Sequence, residues 1–355
     1  MLFDTLPKAT QERVSFGKTV TGITASSTNG ILVQLQDGTY EEFDMVVGCD
    51  GVKSAVKEYI ETGNISKKAS ERDNAIYSGI RIRYAVQDGT LASSENETQL
   101  RQYFGDGGYS LYGEYGAGED RFPTKCAFTI FRDDDFVGPF KKVKTGSKVR
   151  ENNDWSQDNR VGTRDAMLDQ LAECGIPDQD LQPVISSADR FFELGVYFHN
   201  PFSLSGWSRE VSGSSGQFCA LCGDAAHAMP PFLGQGSNQA IQDAYCLAKK
   251  IYEYNAAILK REQYASATGD PSGKGHVTTT VDLKRMLKDY EAVRWPATTS
   301  ISAKAAFLGY LETGSPGFLS KFRDIFFFVM GKIGVANKIL IGAASPKWDN
   351  FPGSV

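Results

Sequence analysis

The stretch from Gly223 to Ala244, GDAAHAMPPFLGQGSNQAIQDA, constrains the fold more than any other part of the sequence. A short apolar run, FCALC, ends in a Gly-Asp pair, and a turn with two prolines follows. Gly234, Gln235 and Gly236 then deliver the chain to a segment in which Ile241, Ala244, Tyr245, Ala248, Ile251 and Tyr252 recur at helical spacing. Strand, tight turn, glycine-rich loop and helix, in that order, describe one crossing of an α/β layer. The spacing predicts a helix of about five turns starting at Asn238. Asp224, at the carboxyl end of the strand, is placed to accept hydrogen bonds from ligand hydroxyls. The N–H groups of Gly234, Gln235, Gly236, Ser237 and Asn238, with the helix dipole behind them, make a site for negative charge.

A second stretch, DMVVGCDGVKSAVK from Asp44 to Lys57, repeats that logic. Its apolar end reads as a buried parallel strand, Asp50-Gly51 as a sharp turn, and Ser54 as the start of a helix. Before it, runs of β-rich residues broken at Thr28-Asn29-Gly30 and Asp37-Gly38 predict a three-stranded meander. From 75 to 135, the segments AIYSGIRIRYAV, TQLRQYF, YSLYGEY and KCAFTIF predict a mostly antiparallel sheet. The basic cluster Lys141, Lys142, Lys144, Lys148 and Arg150 reads as a solvated face, with phosphate binding as the minority view. Downstream come a helix over 163–174, a strand FFELGVYF, a loop over 201–216 and a flexible loop over 263–280. Two helices broken at Pro296, over 281–294 and 298–311, and an apolar helix over 318–340 complete the chain.

Composition removes several classes of function. In 355 residues, 38 Lys and Arg against 43 Asp and Glu leave a net charge of -5, which gives no electrostatic reason to expect a nucleic-acid partner. Six cysteines and three histidines supply neither a disulfide framework nor a histidine-rich metal site. Cys219 and Cys222 form a C-x-x-C without a second pair and read as buried small hydrophobes. The apolar run from Ile325 to Met330 falls far short of the ~20 residues of a membrane span, although the C-terminal segment leaves peripheral membrane contact open. The polar opening residues lack a signal or transit pattern, so the expected location is cytoplasmic.

The two turn motifs, about 170 residues apart with an antiparallel sheet between them, resemble the FAD-dependent monooxygenases of the aromatic hydroxylase (para-hydroxybenzoate hydroxylase-like) superfamily. The resemblance implies an α/β fold: a Rossmann-like three-layer FAD-binding domain with an inserted, mostly antiparallel substrate sheet and C-terminal helices. It places the FAD-binding domain at 1–70 and 201–300, the substrate domain at 71–200 and the C-terminal helices at 301–355. Asp50 and Gly51 match the family's DG motif, near the flavin pyrophosphate, with Ser54 at the helix start. Gly223 and Asp224 match the GD motif, whose aspartate binds the FAD ribitol; His227 reads equally as a flavin-side residue and as a structural hydrogen-bonder of the turn. Pro231, Gly234, Gln235, Gly236, Ser237 and Asn238 match the loop along the isoalloxazine.

That family reduces FAD with NAD(P)H and transfers oxygen from O₂ through a flavin C4a-hydroperoxide. The implied function is therefore hydroxylation or epoxidation of a small organic substrate, aromatic or alkene. No catalytic triad and no essential metal are expected, and the oligomeric state stays open. Tyr103, Phe104, Tyr109, Tyr112 and Tyr115 lie on the sheet where the family keeps its substrate face, and packing against helices explains them equally well. Position 57 is Lys where the family has Arg, which loses the bidentate fork for phosphate. The G-x-G-x-x-G of a first βαβ unit is absent from the sequence, so the chain is expected to be N-terminally truncated against the family. The alternatives are a non-enzymatic remnant of the fold and another flavin oxidoreductase, a reductase or a halogenase. Trp155, Trp207, Trp295 and Trp348 are never two residues apart, which counts against a W-x-W-x-I-P halogenase.

Overall fold

The computed structural model describes residues 3–66, 75–88, 100–115, 124–132, 160–203, 205–268, 282–314 and 317–334. The basic cluster between 141 and 150 lies outside the described residues, as do Trp155 and Trp348. A short helix, α1 (Lys8–Gln11), precedes a meander of β1 (Val20–Ala25), β2 (Ile31–Leu35) and β3 (Tyr40–Phe43). Its turns follow the residues: Asn29 takes φ 69°, and at the second turn Gly38 takes φ 83° while Asp37 accepts from the Thr39 amide at 3.0 Å. Ile31, Val33 and Leu35 alternate inward along β2. The predicted third strand divides after Phe43, and β4 (Met45–Gly48) leaves the meander for a mixed sheet, where it pairs in parallel.

That second sheet has the order β10 (Ser208–Glu210), β11 (Phe218–Leu221), β4, with β11 and β4 parallel. Every residue of β11 is buried, the signature of a strand covered on both faces. On one side α2 (Ala55–Thr62) packs Val56 against β4 so closely that a Cβ on Gly48 would stand 2.5 Å from Val56 Cβ. The shared core joins Ile31, Val56, Tyr59, Trp207, Leu221, Leu287 and Tyr290.

The large sheet is antiparallel and five-stranded, in the order β6 (Leu100–Phe104), β7 (Gly108–Tyr115), β8 (Thr124–Arg132), β5 (Ile76–Gln87), β9 (Arg190–Phe198). One face packs Ala85, Ala127, Tyr103 and Tyr112 on α3 (Arg160–Glu173) and α4 (Leu181–Ser187). The other face carries Ile80, Ile82, Tyr109 and Phe104 toward Phe232. Of the aromatic residues singled out in the sequence, Tyr103 and Tyr112 therefore lie on one face and Phe104 and Tyr109 on the other, as strand alternation requires.

Two helices differ from the sequence expectation. α6 runs from Gly236 to Thr268, 33 residues and about nine turns, rather than five turns from Asn238; it takes in residues 263–268 of the expected loop. α7 is one helix, Leu283–Glu312, with Pro296 inside it. The proline lacks the N–H that would reach Ala292, yet the turn around it is tied down. Thr298 Oγ1 donates to the carbonyls of Arg294 and Trp295 at 3.1 and 3.2 Å, and Thr299 Oγ1 donates to Pro201 O at 3.2 Å. Helix α8 (Phe318–Lys332) buries Ser320 and Arg323 and leaves Phe318, Phe322, Ile325 and Val329 exposed along one stripe. Among the described residues, no helix is long and apolar enough to cross a membrane.

Candidate functional site

The first turn is built by Asp50. Its Oδ1 accepts from Ser54 Oγ at 2.5 Å and its Oδ2 from the Ala55 amide at 2.6 Å, while Ser54 Oγ accepts from the Lys57 amide at 2.9 Å. Asp50 thus holds the N-terminus of α2 by a carboxylate, and Ser54, fully buried, is the N-cap. Gly51 takes φ 78°, which a β-carbon would strain. The result is a turn whose exposed Asp50 stands at the carboxyl end of β4.

The second turn is built by Gly223. Its φ of 64° and a space that would put a Cβ 3.1 Å from Ala240 Cβ both demand glycine. Asp224 opens the short helix α5 (Asp224–His227) with its side chain exposed. The chain then makes a 3-10 turn over Pro231–Leu233, reverses at Gly234 with φ 60°, and enters α6 at Gly236. Gln235 is buried; its amide donates to Leu233 O at 3.2 Å and its Oε1 accepts from Asn238 Nδ2 at 3.2 Å. That brace fixes the loop so that the first N–H groups of α6, which have no intrahelical acceptor, face outward as a group. A Cβ on Gly236 would stand 3.8 Å from Asp224 Oδ1, so the carboxylate and the helix start border one space.

The β4–β11 ladder brings the two turns together. Leu221 pairs with Gly48, and the Cys222 amide donates to Gly48 O at 3.0 Å. Asp50 and Asp224 therefore follow neighbouring parallel strands at their carboxyl ends, where open α/β sheets bind ligands. Residues 212–260 match the family described as FAD binding domain. A salicylate hydroxylase, asL1 of Sarocladium schorii, is 23% identical over 301 residues, 81% of this chain and 52% of that protein. A chloroplastic zeaxanthin epoxidase of Prunus armeniaca is 26% identical over 302 residues, 82% of this chain and 36% of that protein. The crystal structure of Klebsiella pneumoniae HpxO, complexed with FAD and uric acid, superposes with a TM-score of 0.60 at 20% identity, covering 96% of this chain and 69% of that one. The chain is therefore similar over most of its length to proteins named as flavin-family hydroxylases and epoxidases, and it shares the fold of the FAD-complexed structure. It spans about half or less of the length of these two curated relatives.

Beneath the surface of these two turns lies an ion network that the sequence did not announce. Asp243, fully buried on α6, accepts from the Gly223 amide at 2.9 Å and from Arg294 Nε of α7 at 2.6 Å, and it pairs with His227 Nε2. Arg294 reaches on to Gln239 Oε1 at 2.7 Å and Gln242 Oε1 at 3.1 Å. Burial acts to raise the Asp243 carboxyl, and His227 and Arg294 outweigh it, leaving the group below the usual carboxylate range. The network locks the Gly223 turn, α6 and α7 to one another. His227 is thus engaged with Asp243 and lies tilted against the Trp207 ring, buried behind the turn that presents Asp224. The i,i+4 spacing of Gln239 and Asp243 was the sole local signal; Arg294 lies 51 residues on and has none.

Cys219 and Cys222 are both buried, as the reading of the C-x-x-C as small hydrophobes expects. Cys219 is buried in the core, its thiol pushed up to about 12 by burial, whereas Cys222 neighbours Cys49 across the ladder. Hydrogen bonding between these two thiols lowers Cys49 and raises Cys222. Cys49 is exposed, and the other five cysteines are buried. Among the described residues, no group of three His, Cys, Asp or Glu is placed to hold a metal ion.

Proposed function

We propose that this chain carries the FAD site of an NAD(P)H-dependent monooxygenase that hydroxylates or epoxidises a small organic substrate. The observation that carries the reading is the juxtaposition of Asp50-Gly51 and Gly223-Asp224 at adjacent parallel-strand ends, bordered by the N-terminus of α6. The residues fit the group: positive-φ glycines allow close backbone approach, and an exposed carboxylate stands beside unblocked helix N–H groups. The curated relatives named as a salicylate hydroxylase and a zeaxanthin epoxidase support the reaction class.

Bound FAD, reduced by NAD(P)H and reacting with O₂, supplies the oxygenating chemistry. The protein's own share is positional and electrostatic. Asp224 accepts from ribityl hydroxyls, and Asp50, by holding α2, keeps the pyrophosphate side of the site in shape. The N–H groups at Gly236, Ser237 and Asn238 stabilise negative charge on the flavin ring, an oxyanion-hole role.

The test is flavin retention. The purified chain is mixed with FAD, desalted, and its absorbance spectrum recorded beside that of Asp224→Ala. Loss of a hydrogen bond to a charged acceptor, about 1.5–3 kcal/mol, should lower FAD affinity about tenfold or more. Equal retention by the two chains would refute the ribityl role of Asp224.

A further inference from the structure

The face of the large sheet that bears Tyr109 does not close fully on the C-terminal helices. Between them lies a cavity of about 460 Å³, walled by Gln102 of β6, Phe232 and Leu233 of the proline turn, Phe307 and Glu312 of α7, and Phe327 of α8. Phe232 and Leu233 directly precede Gly234, so an occupant would touch the same loop that borders the flavin site. Along α7 the cavity runs from exposed Ala303 and Lys304 to buried Glu312. Eight residues from Lys304 to Glu312 make a depth of about 12 Å at 1.5 Å per residue.

Its walls are overwhelmingly apolar; the polar residues are Lys304 at the exposed end and Gln102 and Glu312, of which Glu312 is the buried carboxyl. The residue is 5% exposed. Its Oε1 meets Gln102 Nε2 at 3.5 Å, and Oε2, buried, has no hydrogen-bond partner. An unpartnered buried carboxyl oxygen is costly, and in an apolar pocket one convergent polar group is what orients a ligand. The groups facing it come from each neighbouring element. Gln102 comes from β6 and the Tyr109 phenol from β7, and Arg323 on α8 is held by Gly105 O at 2.6 Å and by Asp324. Arg132 of β8 is spent on Thr313 Oγ1 and Tyr310 O. Burial pushes the Glu312 carboxyl up to about 7, with Gln102, Tyr109 and Arg323 pulling the other way.

We propose that this cavity is the substrate site and that Glu312 determines its specificity, accepting a hydrogen bond from a hydroxyl of an apolar, ring-bearing molecule and disfavouring a carboxylate. The word substrate rests on the monooxygenase reading; the preference for a hydroxyl is a property of the cavity itself.

The test is calorimetric binding of three ring-matched probes, 1-naphthol, 1-methylnaphthalene and 1-naphthoate, to the full chain at pH 8. Wild type should bind naphthol about tenfold more tightly than methylnaphthalene. Glu312→Leu should bring the two within about twofold. Glu312→Gln, which keeps the shape, should bind naphthoate about tenfold better than wild type does, and this arm stands if the leucine variant fails to fold. Leu308→Trp, projecting into the cavity, should abolish binding of all three while retaining the wild-type circular dichroism spectrum. An unchanged naphthol preference in Glu312→Leu, no gain for naphthoate in Glu312→Gln, or undiminished binding in Leu308→Trp would each overturn the assignment. Flavin retention is scored separately. A chain that discriminates the probes without holding FAD keeps the cavity assignment and loses the monooxygenase reading. A chain that holds FAD and does not discriminate does the reverse.

Discussion

Asp243 and Glu312 are both buried carboxyls, and their surroundings drive them in opposite directions. Asp243 has a histidine and an arginine on it and stays charged; Glu312 faces apolar walls and is held near neutrality. Their substitutions should therefore differ in sign. Arg294→Met leaves Asp243 buried without its cation and should cost about 3–5 kcal/mol of stability, read as a fall in denaturant midpoint. Glu312→Gln should stabilise, and only on the alkaline side. The folded carboxyl titrates at about 7, above the ordinary 4.5, so ionisation destabilises the fold as pH rises between those values. The variant and wild type should match at pH 4 and diverge by about 1–3 kcal/mol at pH 8 in urea melts. A constant offset across that range would show that folding leaves the Glu312 carboxyl at its ordinary value. Neither role was legible in the sequence, because burial is a property of packing, and no spacing distinguishes Glu312 from a solvated helix-end glutamate. Asp224, Asp50 and the glycines around them were legible because turn chemistry is local.

At the scale of the element, α7 connects most of what matters. Its first half carries Tyr290, whose hydroxyl donates to Leu221 O at 3.1 Å, and Arg294; its second half walls the cavity. The single helix was misread as two because proline is a strong local stop, while the side-chain bonds that hold the turn come from packing. The same holds for α6, whose last turns carry the polar residues of a loop yet continue a helix already nucleated. Near the end of α7, Gly309 lies under the Phe232 ring, and a Cβ there would stand 2.0 Å from Cε2. Alanine is ordinarily the better helix former by about 1 kcal/mol. Gly309→Ala should nonetheless destabilise by about 1–3 kcal/mol, because the ring must leave its place. It should also weaken 1-naphthol binding, since that ring is a cavity wall. A melting temperature above wild type would show that the ring yields freely.

For the whole molecule, the β10-β11-β4 sheet and the five-stranded sheet divide the labour. The mixed sheet presents turns at the carboxyl ends of its parallel strands, and the antiparallel sheet offers one face to helices and the other to a cavity. That division was legible, since period-two runs between two strand-turn-helix units name an inserted sheet. The junction was not, because it is made by Phe232, Phe104 and Phe327, distant in sequence. Protection should follow the layering. Amides of β11, buried with neighbours on both sides, should exchange with deuterium only on global unfolding, whereas β6, at an edge, should exchange by local opening. Equal rates for the two strands would contradict this order.

The thiols at the ends of β4 and β11 give the molecule a built-in reporter. With Cys49 accessible and its five fellows enclosed, a maleimide dye should attach once per native chain and six times after denaturation. The attachment point adjoins Asp50, so its labelling rate serves as an occupancy gauge for whatever settles on that turn, readable without any assay of turnover.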